Sequence, residues 1–306
     1  MSGTVPVALF AFRRADLLAR TLAALRANGV RLIYAFSDGA RTESDEPGVV
    51  EVRRILHAVD WAELHLVQRP ENIGLYASIV GGVSQVLSTH EQVVVCEEDI
   101  EFAPGAFAYM CEALERYRDE PRVMSIGGWT HPRMTPADAQ DAPHFTGRFT
   151  EWGWATWRRA WAGFPEMTRD GLRTRCAARG LDLGQYGWDI ADWFEEGAER
   201  DSWDYNFNLH MMLHDGLALL PPRAMTLHIG YDERSSHRQD RSVWNDRAES
   251  PPPPGQVRWP EVRENPASAE LWRRATTPPP RPSFAKRVRR RLARMVKEFL
   301  RRRLRA

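Results

Sequence analysis

The chain has 306 residues, 43% of them hydrophobic and 27% charged, enough to bury the core of one large domain or two small ones. No apolar run approaches the ~20 residues that span a bilayer. The apolar stretch Val5 to Phe12 is followed, not preceded, by Arg13 and Arg14, so neither a membrane span nor a signal peptide is expected. Cys96, Cys111 and Cys176 form neither a metal-like pair nor an even disulfide framework, which fits a reducing cytosol. The net charge of +1 conceals an asymmetry. Residues 281–306 hold 12 Lys/Arg and one Glu, which leaves 30 basic and 40 acidic side chains in an acidic body.

In chain order, "VPVALFAF" reads as a strand, and Ala15 to Ala27 as a helix with Leu17, Leu18, Leu22 and Leu25 on one face. "RLIYAFSD" is a second strand, "VVEVRRILHAV" a helix, "ELHLVQ" a third strand, "GLYASIVGGVSQVLS" a helix and "QVVVC" a fourth strand. This alternation predicts a mostly parallel sheet with right-handed crossovers, whose ligands sit beyond the carboxyl ends of the strands. "APGAFAYMCEALERYRDEP" then reads as a helix bounded by Pro104 and Pro121, and "VMSIGGW" as another strand. From Arg148 the texture changes. "RFTEWGWATWRRAW" carries Trp152, Trp154, Trp157 and Trp161, the last three at helical spacing and expected mostly in the core, with Trp152 or Trp154 at the edge of the site. Residues 1–130 are taken as one α/β half and 131–245 as a smaller mixed half of the same domain. A Pro-rich linker follows over 246–280, and a basic amphipathic helix over 281–306.

The chemistry centres on "VVVCEED". Glu97, Glu98 and Asp99 follow a strongly apolar strand without interruption, although adjacent carboxylates repel and resist desolvation. An isolated acidic triplet is ordinarily a solvated strand end. At the ligand edge of a parallel sheet, a hard divalent cation bridging to a diphosphate is the better explanation. Arg13 and Arg14 after the first strand, and Asp38 and Gly39 after the second, fall on the same edge. His210 and His214 sit four apart, but no Glu follows His210, so the HExxH zinc pattern fails.

These motifs, in this order, resemble glycosyltransferases of the GT-A fold. "VVVCEEDIEFAPGAF" looks like their short acidic metal motif, often written DxD. "VALFAFRR" and "FSDGA" look like their first two strands, and "EWGWATWRRAW" resembles a Gly-Trp segment of bacterial sugar transferases. "SWDYNFN" and "LPPRAMTLHIGYDERSSH" are similar in order to the C-terminal half of N-acetylglucosaminyltransferase I and its bacterial relatives. Over roughly residues 5–240 the resemblance implies a nucleotide-sugar donor, with UDP preferred, and Mn2+ or Mg2+ held by Asp99. It also implies Glu98 and Glu97 at the ribose or the metal's waters, Arg13 and Asp38 near the nucleotide, and Asp204 as catalytic base of an inverting transfer. Glu151 is a second candidate carboxylate, and His228 or His237 is placed to touch phosphate or metal. Two departures stand out: Ser78 lies near where the animal enzymes carry His, and Tyr205 replaces a second acid after Asp204.

The expectation is therefore a cytoplasmic glycosyltransferase acting on a glycan or lipid-linked acceptor. It would sit peripherally on an anionic membrane through residues 281–306, whose Phe284, Val288, Leu292, Met295 and Phe299 form an apolar stripe that nucleic-acid binding does not need. A sugar-phosphate nucleotidyltransferase would open with a Gly-rich phosphate loop, which "VALFAFRR" lacks. An inert membrane-surface or glycan-binding scaffold would have no use for the retained acids.

Overall fold

The computed structural model describes residues 4–195, 202–232 and 247–277. Its centre is an eight-stranded sheet in the order β3-β2-β1-β4-β8-β6-β9-β7, formed by β1 (Val7–Ala11), β2 (Leu32–Ser37), β3 (Glu63–Gln68), β4 (Gln92–Glu97), β6 (Val123–Gly127), β7 (His144–Thr146), β8 (Trp154–Trp157) and β9 (Leu217–Leu220). β3, β2, β1 and β4 are parallel neighbours. β8 runs against β4 and β6 on either side of it, β9 is parallel to β6, and β7 is antiparallel to β9. Six strands therefore share one direction, and β7 and β8 oppose them. A second sheet pairs β5 (Ile100–Phe102) with β10 (Thr226–His228), antiparallel.

The helices follow from the apolar periodicity. α1 (Ala15–Ala27) buries Leu17, Leu18, Leu22 and Leu25, and α2 (Glu46–His57) starts with Pro47 in its first turn, where a missing N–H costs nothing. α3 (Leu75–Thr89) lies so close to the sheet that a β-carbon on Gly82 would meet the Phe10 ring at 2.5 Å and the Phe36 ring at 3.0 Å. α4 (Ala106–Arg116) begins two residues after Pro104, as the sequence implies. α5 (Arg158–Trp161), α6 (Arg169–Ala178), α7 (Trp188–Glu195), α8 (Trp203–Leu213) and α9 (Ser268–Thr276) complete the chain.

The tryptophan segment is arranged differently from its helical spacing. Trp154 and Trp157 lie on β8, a strand buried on both faces, and only Trp161 is on a helical turn. Trp154 stacks on Trp203 at 5.5 Å between ring centroids, while the Trp157 indole N–H donates to the Leu114 carbonyl of α4 at 3.2 Å. The two rings thus serve opposite faces of the sheet. Trp154 is 1% exposed and Trp152 half-buried, so of the two Trp152 is the one at the edge.

Residues 247–277, expected as part of a linker, are packed onto the body. Trp272 is buried under the Arg148 guanidinium, 4.9 Å from its ring centroid, and Trp259 donates to Glu112 of α4 at 2.9 Å. His237 and residues 281–306, which carry the expected amphipathic helix, lie outside the described residues. Among the described residues no helix is long and apolar enough to cross a membrane.

Candidate active site

Strand direction brings the expected residues to one edge. β1 and β4 end together, with Phe10 opposite Glu97, so the turns Phe12–Arg14 and Glu98–Asp99 lie side by side. Because β8 is reversed, its start faces the end of β4. Val95 pairs with Trp154, and Glu151 and Trp152 therefore enter at the same edge. The β5/β10 ladder adds a third wall, its register setting His228 opposite Ile100 and thus beside Asp99.

Glu98 and Asp99 are both buried, and protein groups compensate both. The Phe12 backbone N–H donates to Glu98 Oε2 at 2.6 Å, and Arg14 Nε to Glu98 Oε1 at 3.2 Å. A second Arg14 nitrogen donates to Asp99 Oδ2, and Arg14 Nη1 to the Gly230 carbonyl at 3.2 Å. His228 Nε2 lies 3.3 Å from Asp99 Oδ2, and the Ile229 N–H donates to the Asp99 carbonyl at 2.8 Å. Gly230 is required by this closeness, since a β-carbon there would stand 2.2 Å from Asp99 Oδ2 and 2.6 Å from Arg14 Nη1. The repulsion within the triplet is thus offset first by Arg14, a backbone N–H and His228.

The electrostatics separate the three acids. Burial pushes the Asp99 carboxyl up, but the hydrogen bond and charge of His228, and then Arg14, more than offset it and leave it below its ordinary range. Glu98 is raised by burial, with Phe12 and Arg14 opposing. Glu97 is raised well above its ordinary value by burial, then by the charges of Asp99 and Glu151, and to a lesser degree by Asp204. Glu151 is pushed up to about 7, by burial first and then by Asp204, with Arg148 opposing. Glu97 therefore feels the charges of Asp99, Glu151 and Asp204, and Glu151 that of Asp204.

Asp204 stands in the first turn of α8 and accepts a hydrogen bond from the Ser202 hydroxyl, a position that also suits the helix N-terminus. Beneath it, Arg148 holds Asp189 through two hydrogen bonds of 3.1 and 2.7 Å, and the Tyr205 hydroxyl donates to the same carboxylate at 3.1 Å. Tyr205, in place of a second acid, thus serves to fix α8 against α7. Trp152, His228 and Tyr231 form an aromatic wall, with Trp152 5.2 Å from His228 and 6.3 Å from Tyr231 between centroids.

Two expected nucleotide contacts are engaged elsewhere. Arg13 turns away from the triplet and pairs with Asp45, while its neighbour Arg14 takes the acids. Asp38 is buried and accepts from Arg69 at 3.1 Å, and the same guanidinium donates to Ser78 Oγ at 2.8 Å. Arg69 lies outside every motif read from the sequence, and Arg148 and Tyr231 lie within such motifs without having been singled out. His210 is buried, its ring 3.2 Å from the Ala160 carbonyl, and among the described residues no group of three His, Cys, Asp or Glu side chains is placed to hold a metal.

No family model and no curated protein matches the chain, so the resemblance to N-acetylglucosaminyltransferase I rests on the motifs alone. A solved structure is similar. It is the mannosyltransferase PcManGT from Pyrobaculum calidifontis in complex with GDP-Man and Mn2+, with 17% sequence identity, a TM-score of 0.46, and 76% of this chain covered. This chain spans 58% of that protein's length.

Proposed function

We propose that the chain is a glycosyltransferase that takes a sugar from a nucleoside diphosphate donor and transfers it with inversion to a hydroxyl of a glycan or lipid-linked acceptor. One observation carries this reading: the Asp99–His228 pair at 3.3 Å stands beside Trp152, whose ring is 5.2 Å from that of His228, and so next to Glu151, which burial and then Asp204 push up to about 7.

A carboxylate and an imidazole fit a divalent cation such as Mn2+, with His228 and Asp99 as its protein ligands. Among the described residues no third His, Cys, Asp or Glu joins this pair as a ligand. When bound, the cation supplies neutralisation of the charge that grows on the departing diphosphate.

The chain's own residues do the rest. Arg14 keeps Asp99 and Glu98 fixed, and the half-buried Trp152 offers an apolar face for a pyranose ring. Glu151 accepts the proton of the acceptor hydroxyl as that oxygen bonds to the anomeric carbon and the bond from that carbon to the diphosphate breaks. A base with a pKa near the working pH is the efficient one, and the negative charge of Asp204 keeps Glu151 there. Asp204, the base that the motif implies, is on this account the group that tunes Glu151. We further propose that residues 281–306 dock the acidic body on an anionic membrane, from the composition and stripe of that segment.

The test is a panel of UDP-, GDP- and dTDP-sugars incubated with Mn2+ and mixed oligosaccharide acceptors. Release of nucleoside diphosphate with a lengthened acceptor is expected. Release of pyrophosphate would instead point to a nucleotidyltransferase.

A further inference from the structure

A second concavity lies on the same edge of the sheet as the acidic cleft, but past the end of β9. Its volume is about 400 Å³, within the range of small-molecule sites, about 300 to 1,000 Å³. At about 30 Å³ per water it holds roughly a dozen waters, which leaves room for one or two hexose rings. Tyr109, Pro222, Met225 and Val257 supply its apolar lining, and Arg223 and Glu249 its charged rim.

Four features give this cavity a ligand class. The Tyr109 side chain is 2% exposed, yet its hydroxyl meets no hydrogen-bond partner among the described residues, which is costly in a buried position unless a ligand or water supplies one. The walls are pre-formed. Glu249 N–H donates to the Ala224 carbonyl at 2.7 Å, Glu112 fixes Gly255 and Trp259 at 3.0 and 2.9 Å, and Pro251 and Pro252 have restricted backbones. The charges of the lining balance, Arg223 and Arg258 against Asp141 and Glu249, with Arg223 3.3 Å from Glu249 and 3.9 Å from Asp141, so a neutral hydroxylated molecule suits the rim better than an anion. Finally, the cavity adjoins the cleft. Met225 in its wall and His228 beside Asp99 are three residues apart on one extended segment, about 10 Å.

We propose that this cavity is an acceptor subsite that holds a neutral saccharide unit beyond the one receiving the new sugar. Apolar walls take the ring's C–H faces, Tyr109 takes a hydroxyl, and the Arg223–Glu249 rim reads the remaining polar edge. The proposal rests on the transferase reading for the word acceptor. The ligand class rests on the cavity alone.

The experiment is calorimetry of the full-length chain with neutral mono-, di- and trisaccharides, and with inorganic phosphate as the alternative ligand, for wild type, Tyr109→Phe and Arg223→Ala. Tyr109→Phe keeps the ring and so the packing, and loss of one buried hydrogen bond should weaken saccharide binding about tenfold. Binding of nucleoside diphosphate with Mn2+ should be unchanged. With turnover assays, KM for a long acceptor should rise while kcat on a single-sugar acceptor stays the same. Equal saccharide affinity in wild type and both variants, no saccharide binding to wild type, or displacement of the saccharide by phosphate would each overturn the assignment. Saccharide binding lost in the variants but no nucleotide sugar consumed by wild type would uphold the ligand class and count against the transferase reading.

Discussion

Asp99 and His228 come together, Oδ2 to Nε2 at 3.3 Å, because the β5/β10 ladder pairs Ile100 with His228 across 128 residues of chain. The same carboxylate is held by Arg14 from the end of β1. Two segments distant in sequence therefore converge on one oxygen of Asp99, and the consequences of removing either differ.

Removing Arg14 should cost stability before it affects chemistry. Arg14→Leu would leave the buried Glu98 and Asp99 without their shared cation, and breaking a buried ion pair from one side typically costs about 3 to 5 kcal/mol. A denaturant midpoint well below that of wild type is expected. A loss under about 1 kcal/mol would mean that solvent compensates these acids.

Glu151 and Asp204 should separate kinetically. Glu151→Gln removes the proton acceptor, and turnover should fall about 10²-fold or more with nucleotide affinity kept. Asp204→Asn removes a negative neighbour that raises Glu151, so Glu151 should titrate lower and the rising limb of the pH–rate profile, centred near 7, should move to lower pH. Arg148, Asp189, Glu97, Tyr205 and Tyr231 also face this pair and remain in both variants. An unmoved limb in Asp204→Asn, or full turnover in Glu151→Gln, would reassign the base.

How much of this was legible beforehand follows the range of the interactions. The first 130 residues declare themselves because their elements are long and periodic, and "ELHLVQ" coincides with β3 residue for residue. Trp154, Trp157 and Trp161 are in the core as expected, but their spacing misleads about the element, because three and four also describe a strand buried on both faces that runs into one helical turn. The acidic triplet lies at the end of β4, as its place after an apolar run implies, but which of two adjacent arginines pairs with it depends on the turn after β1. His228 carries no local signal for its place beside Asp99, since the register of a two-stranded ladder is a non-local fact. The proton affinity of Glu151 comes from burial and from Asp204, 53 positions away in sequence.

Two buried histidines should make the stability of the fold depend on pH. His144 and His210 are buried, and burial holds both imidazoles down at about 4. An unfolded histidine titrates near 6.5, so between about 6.5 and 4 each of these two sites binds more proton in the unfolded chain and its contribution to stability is lost as pH falls, while Glu97, Glu98 and Glu151, raised in the fold, act in the opposite sense. The histidine contribution is therefore read as a difference: from pH 7.5 to 4.5 the thermal midpoint of His144→Phe should fall less, or rise more, than that of wild type. His144→Phe suits this test, since neither ring nitrogen of His144 meets a hydrogen-bond partner among the described residues and an aromatic ring is kept. An identical slope in that variant would exclude His144 as a source.

Removal of residues 281–306 should release the protein from anionic vesicles while sparing transfer to a soluble acceptor. With 12 basic side chains at ~1 kcal/mol each near an anionic leaflet, even half of them suffice for binding. Sedimentation of the shortened chain with phosphatidylserine vesicles, or a preference of the intact chain for RNA over vesicles, would contradict this.

The central claim is that Asp99 and His228 hold a divalent cation together with a nucleoside diphosphate. The most direct measurement is calorimetric titration of wild type, Asp99→Asn and His228→Ala with UDP and with GDP, each with Mn2+ and with excess chelator. One nucleotide should bind wild type only when Mn2+ is present, and both variants should lose that metal-dependent binding while keeping a wild-type circular dichroism spectrum. Nucleotide binding of equal strength in chelator, or undiminished Mn2+-dependent binding in folded Asp99→Asn, would contradict the account.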